Sequence, residues 1–250
     1  MSQRDDKHDK QTDDVSGAAL PAHPPGVPDD SGPEDPLTEP GDSPPGAAAA
    51  VAAAPPPPQV DELATACIRF VTARYGVDRA TLDYRPETLS FVDQWVRDAR
   101  RDMAAPLGGP GNAETLDLAQ AAVGAYLGEV MRRWFGARWV ADGDHATWRL
   151  CLSSVFCAFN PIGMAREALL LAPADGWGAH LELDPVDRRP IEARLAALPG
   201  AGDDEFFAPT TRFDVLCIVV DALRASQRAR GLGDLAFHIA DYAAALPAAR

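Results

Sequence analysis

The chain has 250 residues, with 37 acidic and 23 basic side chains and a formal net charge of −14. Binding to a nucleic-acid backbone or to an anionic membrane surface needs clustered cations, so this charge balance disfavours both partners. Apolar residues make up 46% of the chain, which is typical of a globular protein. The composition therefore predicts a folded domain whose partner is neither nucleic acid nor a membrane.

The first 60 residues differ from the rest of the chain. They contain 13 of the 23 prolines, none of the aromatic residues, and 11 acidic against three basic residues, a net charge of −8. Such a segment cannot bury enough apolar surface to offset the entropy of ordering. We therefore expect residues 1–58 to form a disordered, acidic, Pro/Ala-rich leader that serves as a solvating spacer or as a docking segment for a partner.

Residues 59–250 are predicted to form a single α+β domain that is mostly helical, with a subdivision near residue 172 left open. Apolar residues spaced by three and four predict helices over 60–75, 86–103, 115–135, 164–171, 190–198, 211–230 and 232–246. A loop is expected at 106–112. Short runs of alternating pattern predict a small antiparallel sheet in the middle of the chain, with strands at 138–141, 147–152, 155–158 and 180–183.

Targeting and metal-binding signals are weak. The N-terminal residues lack the apolar run of a signal peptide, and no stretch of about 18 apolar residues predicts a membrane span. The four cysteines lie in apolar surroundings without a C-x-x-C pair, which indicates free thiols and a cytoplasmic location. His180, Glu182 and Asp184 would share one face of a strand, but neither they nor the cluster at 142–145 has the spacing of a zinc site. We expect no metal and no cofactor.

The helix over 115–135 carries the most distinctive feature, two glycines four residues apart. Gly124 and Gly128 each make a helix less stable than alanine would, by about 1 kcal/mol. Close packing of a neighbouring element against the glycine face would offset this, and so would a ligand or partner approaching the backbone. Glu129 and Arg133 have the spacing of an ion pair on the helix surface.

Three pieces of sequence together resemble a known group of proteins. They are the stretch Leu82–Leu89 at the start of a helix, the run Gly124–Arg133 with its Tyr-Leu-Gly-Glu-Val segment continuing to Gly136 and Trp139, and the pair Asn160-Pro161. In this order they are similar to a group of uncharacterised bacterial proteins, over about residues 60–172. Arg85 departs from the pattern, which has a small capping residue such as serine before the proline. The resemblance implies a bacterial, cytoplasmic α+β domain, and it implies no shared activity and no catalytic residue.

Established catalytic motifs are missing from the sequence, including a nucleophile elbow, a phosphate-binding glycine loop and a zinc-protease helix. This favours a non-enzymatic protein-interaction domain, of an adaptor or immunity-like kind. The candidate binding surface consists of Tyr126, Gly128, Glu129, Trp139 and Asn160.

Two further expectations complete this interpretation. Phe206 and Phe207, in an acidic loop, are predicted to be exposed, and exposure of Phe207, Trp139 or Trp148 would favour an interaction role. The alternative is an enzyme or small-ligand binder with a polar pocket around Glu129, Tyr126, Asn160 and His180. That alternative needs these four side chains to converge in one pocket. The oligomeric state is left open.

Overall fold

The structure, a computed structural model, describes residues 55–104 and 112–245. The predicted leader up to residue 54 and the predicted loop at 106–112, except for its last residue, lie outside these ranges. Asn112 is instead the first residue of a helix. Within them, no helix is both long enough and apolar enough to cross a membrane. The predicted fold class, a mostly helical α+β domain with a small antiparallel sheet in the middle, is confirmed.

Helix α1 (Pro58–Tyr75), helix α2 (Leu89–Ala104) and helix α3 (Asn112–Phe135) precede the sheet. A proline occupies the first position of α1, where its missing N–H has no intrahelical partner to lose. Gly76 ends α1 in a left-handed conformation, with its N–H donated to the Thr72 carbonyl. Helix α2 follows a 3-10 turn at Pro86–Thr88, so the predicted helix at 86–103 has its first turn in tighter geometry.

The sheet has four antiparallel strands in the order β1-β2-β3-β4. They are β1 (Ala137–Val140), β2 (Arg149–Leu152), β3 (Cys157–Phe159) and β4 (Glu182–Leu183), with helix α4 (Pro161–Leu170) between the last two. Trp139 pairs with Leu150, and Cys157 pairs with Leu183. Both faces of the sheet are covered, because α3 and α4 pack against one face and the C-terminal end of the described chain packs against the other.

The remaining elements are α5 (Pro185–Ala196), α6 (Asp203–Phe206), α7 (Pro209–Ala229) and α8 (Ile239–Ala245). Helix α5 starts five residues before the prediction, because the Asp184 side chain caps it and leaves Pro190 inside the helix. Helix α7 begins at Pro209 rather than at the predicted capping residue Thr211. The final helix begins at Ile239 rather than at 232, since the preceding segment donates a backbone N–H from Phe237 to the Ser153 carbonyl.

The Tyr242 side chain connects α8 to the sheet. The Tyr242 hydroxyl accepts a hydrogen bond from the Cys157 N–H at 3.0 Å and lies 2.7 Å from the Leu152 carbonyl. Its ring stacks on Phe156, with 4.5 Å between the ring centroids. This side chain therefore holds the connection between β2 and β3, and burial raises its pKa well above the usual tyrosine range.

Candidate functional site

The two glycines of α3 are sites of close packing. A β-carbon added to Gly124 would lie 2.8 Å from both the Ile162 nitrogen and the Pro161 carbonyl oxygen, at the start of α4. At Gly128 an added β-carbon would lie 2.5 Å from Cη2 of the Trp139 indole. Neighbouring protein atoms therefore fill the space beside both glycines. Of the two expectations for these residues, the structure shows close packing of a neighbouring element.

Glu129, one residue beyond Gly128, is buried, with 1% of its surface exposed. Its carboxylate accepts two hydrogen bonds from Arg132 in a bidentate pair, at 2.7 Å to Oε1 and 2.9 Å to Oε2. The Trp139 indole N–H also donates to Oε1, at 2.9 Å. Both carboxylate oxygens are thus occupied by fixed donors, which compensates the unfavourable burial of the charge.

The predicted ion pair of Glu129 with Arg133 is present, with the Arg133 Nε 3.6 Å from Oε2, but Glu129 is buried and does not lie on the helix surface. Arg132, at i+3, is the closer, bidentate partner. The Arg133 guanidinium also lies over the Tyr84 ring, 3.9 Å from its centroid. Sequence spacing allowed either arginine, and only the burial of the glutamate face of α3 selects Arg132.

Tyr126 lies one turn before Glu129 on the same helix and is fully buried. Its hydroxyl is 2.7 Å from the Thr88 hydroxyl, which itself donates to the Arg85 carbonyl, so the tyrosine is the donor in their bond. Its ring stacks on Tyr84, a residue held at a positive φ of 66°. Burial raises the pKa of Tyr126 to about 12, so it stays protonated at neutral pH.

Asn160 joins three parts of the chain. Its side-chain oxygen accepts from the Ile162 N–H at 2.9 Å and caps α4, while its amide donates to the His145 carbonyl at 2.8 Å. Its backbone N–H donates to the Gly178 carbonyl. Each of these bonds is internal to the protein, so the role visible for Asn160 is to position α4 against the sheet.

The structure brings the five predicted surface residues together, but in the interior. Tyr126, Gly128 and Glu129 share α3, the Trp139 indole covers Gly128, and Asn160 immediately precedes the proline that contacts the same face. All five are buried, so they present no exposed surface in this conformation. His180 is exposed and makes none of the hydrogen bonds described for this group, so the four side chains of the alternative pocket are not seen to converge.

The polar residues predicted to share a strand face have separate structural partners. Glu182 lies 3.4 Å from Arg149, and the Asp184 side chain caps α5, while His180 precedes the strand. Within the described ranges, no group of three or more His, Cys, Asp or Glu side chains is placed to hold a metal ion. The four cysteines are free thiols, and burial raises the pKa of Cys151 to about 12 and that of Cys217 to about 11.

An exposed apolar surface lies elsewhere, where α4 ends beside α6. Leu170, Leu171 and Phe206 are 44%, 37% and 46% exposed, and we call these three residues the α4–α6 patch. The prediction for the Phe206-Phe207 pair is right for Phe206 and wrong for Phe207, which packs into the core. Trp139 and Trp148 are buried as well, so none of the three residues whose exposure would have favoured an interaction role is exposed. Leu171 ends α4 in the left-handed region, at φ 52°, where a leucine is less favourable than a glycine.

Two arginines hold the patch in place. The Arg212 guanidinium pairs with Glu167 of α4 at 2.7 Å and lies 4.6 Å from the centroid of the Phe206 ring. Arg100 donates to the Ala168 carbonyl at 3.2 Å and pairs with Asp204 of α6. These contacts fix the last turn of α4 relative to α6, so the exposed side chains are carried by a rigid framework.

No protein-family model, no curated protein and no solved structure matches this chain. The resemblance to a group of bacterial proteins therefore stays a prediction.

Proposed function

We propose that this chain is a non-enzymatic protein-interaction domain, and that the α4–α6 patch is its contact surface. The observation that carries the proposal is the exposure of Leu170, Leu171 and Phe206 on two elements fixed to each other by arginines. Exposed apolar side chains on neighbouring elements, with charged residues close by, are typical of protein contact sites. Aromatic side chains of this kind are also enriched among residues that dominate binding energy.

The patch would contribute part of the binding energy of such a contact, and the rest would come from the surrounding surface. Burying a Leu or Phe side chain fully is worth about 1.5–3 kcal/mol. With roughly two fifths of each side chain still exposed, covering all three would contribute about 2–4 kcal/mol, before any polar contact at the rim. Arg97 and Asp204, which lie 3.2 Å apart at this rim, add groups for polar recognition.

The alternative of an enzyme or small-ligand binder receives less support. Internal hydrogen bonds occupy the polar side-chain atoms of Glu129, Tyr126 and Asn160. An acid or base needs a free lone pair or proton within reach of a substrate. Release of Glu129 for that purpose would break a buried bidentate pair, which is strongly unfavourable.

We further infer a cytoplasmic location and an adaptor or immunity-like role for a bacterial chain. The free thiols support a reducing compartment. The absence of matched catalytic motifs and the acidic charge support an adaptor or immunity role, in which the chain acts by binding another protein.

Affinity capture from a native lysate with the full-length chain tests the proposal. We expect a stoichiometric protein partner that is lost when Leu170 and Phe206 are both replaced by serine. The control is Val186→Ser on α5, which removes a more exposed apolar side chain from another element and should retain the partner. Equal capture by the patch variant and the control, with both melting like the wild type, would contradict the assignment of the patch.

A further inference from the structure

We propose that a second site, the groove between α2 and the first turns of α3, binds a basic amphipathic helix of another protein. This groove shares no lining residue with the α4–α6 patch, so the inference does not depend on the patch. A chain with both sites would connect two partners. The shape of the groove, its apolar lining and the charges around it support the assignment of a basic amphipathic helix.

The groove is an open cavity of about 240 Å³. Trp95, Ala99 and Met103 follow one another at one-turn intervals along α2, and Ala119 faces them from α3. Two large side chains thus flank small ones, which leaves a hole between the helices. A hole of this kind accepts an apolar side chain from a third helix, as in knobs-into-holes packing.

The dimensions favour a helix over a compact ligand. From Trp95 to Met103 the helix rises about 12 Å, which corresponds to two turns of a bound helix with anchors one turn apart. Trp95 is stacked on Phe70 with 5.5 Å between centroids, so one wall is rigid. Met103 at the other end is unbranched and adapts its shape to different side chains.

The charges lining the groove favour a basic partner. Asp98 and Asp102 line it together with one cation, Arg74, which lies 3.6 Å from Asp98 and 3.3 Å from Asp102. Arg101 also pairs with Asp98 from the exposed side of α2.

On α3, the exposed acids Glu114 and Asp117 flank the lining residue Thr115. Asp117 lies 3.6 Å from Arg166, so part of its charge is balanced. Asp98 is buried and already bonded to Tyr75, Gln94 and two arginines. The exposed acids are Asp102, Glu114 and Asp117, of which Asp102 and Asp117 each have one arginine nearby, so lysines on an approaching helix would find excess negative charge.

The test is calorimetric titration of the full-length protein with synthetic helical peptides. The probe carries leucine at the a and d positions of three heptads and lysine at the others. One control peptide replaces every lysine by glutamate, and another replaces every leucine by serine. We expect the probe to bind and both control peptides to bind at least about tenfold more weakly.

Two protein variants locate the site. Ala99→Leu fills the hole with a good helix former, and should weaken binding of the probe by about tenfold or more while the protein stays folded. Ala193→Leu is the matched control on the exposed face of α5 and should bind the probe like the wild type. Asp102→Lys should weaken binding of the lysine peptide and strengthen binding of the glutamate peptide.

Three results would overturn the inference. Binding unchanged by Ala99→Leu would mean that the probe adheres to the acidic surface in general. Absence of binding to the wild type would mean that the groove takes no basic helix, including the case in which other residues of the chain already fill it. Tighter binding of the glutamate peptide would reverse the assigned charge preference. The Leu170/Phe206 serine variant should leave this titration unchanged, which separates failure here from failure of the proposed function.

Discussion

Gly124→Ala on α3 is the most direct test of how the buried region is assembled. In an ordinary helix this change is stabilising, by about 1 kcal/mol, because alanine is the better helix former. Here the new methyl would meet the backbone of Pro161 and Ile162, at 2.8 Å from two of its atoms and closer still to the Ile162 α-carbon. Ordinary van der Waals contact begins at 3.4 Å.

The clash cannot be relieved by rotating a side chain, since the opposing atoms are backbone. Helices α3 and α4 must separate by about 1 Å to restore normal contact distances. Overpacking of this kind destabilises a protein by about 1–3 kcal/mol, and we use the upper end of this range because backbone atoms must move. After subtracting the gain in helix propensity, we expect a net loss of about 2 kcal/mol in the free energy of unfolding. For a domain of this size that corresponds to a lower melting temperature by about 4–8 °C.

The assay is urea unfolding followed by far-UV circular dichroism, with thermal melting as a second measurement. Gly136→Ala is the matched control, because that glycine has a positive φ of 71° and no atom within 4 Å of an added β-carbon. It tests backbone strain alone, which we expect to destabilise by about 1–2 kcal/mol. A Gly124→Ala protein as stable as the wild type, or more stable, would refute the close packing of α4 on α3.

Four other predictions follow from the polar contacts. Glu129→Met and Arg132→Met should each lower the free energy of unfolding by about 3–5 kcal/mol, because each leaves an unpaired charge buried. The double variant should lose much less than the sum of the two, since it leaves no unpaired charge buried, and additive losses in urea unfolding would contradict this. Tyr242→Phe should lower the free energy of unfolding by about 1–3 kcal/mol and speed amide hydrogen exchange in β2 and β3, because the hydroxyl bonds to Leu152 and Cys157 are lost. Unchanged exchange would show that the hydroxyl is dispensable. Burial raises the pKa of Asp93, so its charge opposes folding above the usual aspartate pKa of 3.8, and Asp93→Asn should be at least as stable as the wild type at pH 7. A hydrogen bond from the Tyr75 hydroxyl lowers the pKa of Asp98. The charge of Asp98 therefore stabilises the fold at neutral pH, and this contribution is lost as the pH falls through the lowered pKa. Asp98→Asn should therefore destabilise at pH 7, with a difference from the wild type that shrinks in acid; pH-independent differences for both aspartates would refute the assigned shifts.

Local sequence patterns determined the elements of the fold. The three-and-four spacing of apolar residues along α3 predicted that helix to within three residues at its start, because helical periodicity is a property of neighbouring residues. Prolines at helix starts and the glycine after α1 act within one turn, and they too could be recognised from sequence. The start of α5 was missed because the prediction placed the beginning of the helix at Pro190, whereas the Asp184 side chain caps the helix six residues earlier.

Tertiary structure alone decided which side chains are exposed and which partners they have. Glu129 had two arginines within reach on its own helix, and the burial of the glutamate face of α3 decides that Arg132 is the bidentate partner. Phe206 and Phe207 are adjacent and chemically identical, yet Phe206 is exposed and Phe207 is buried, because only Phe207 packs into the hydrophobic core. Such choices depend on contacts between residues far apart in the chain, and neither periodicity nor composition contains that information.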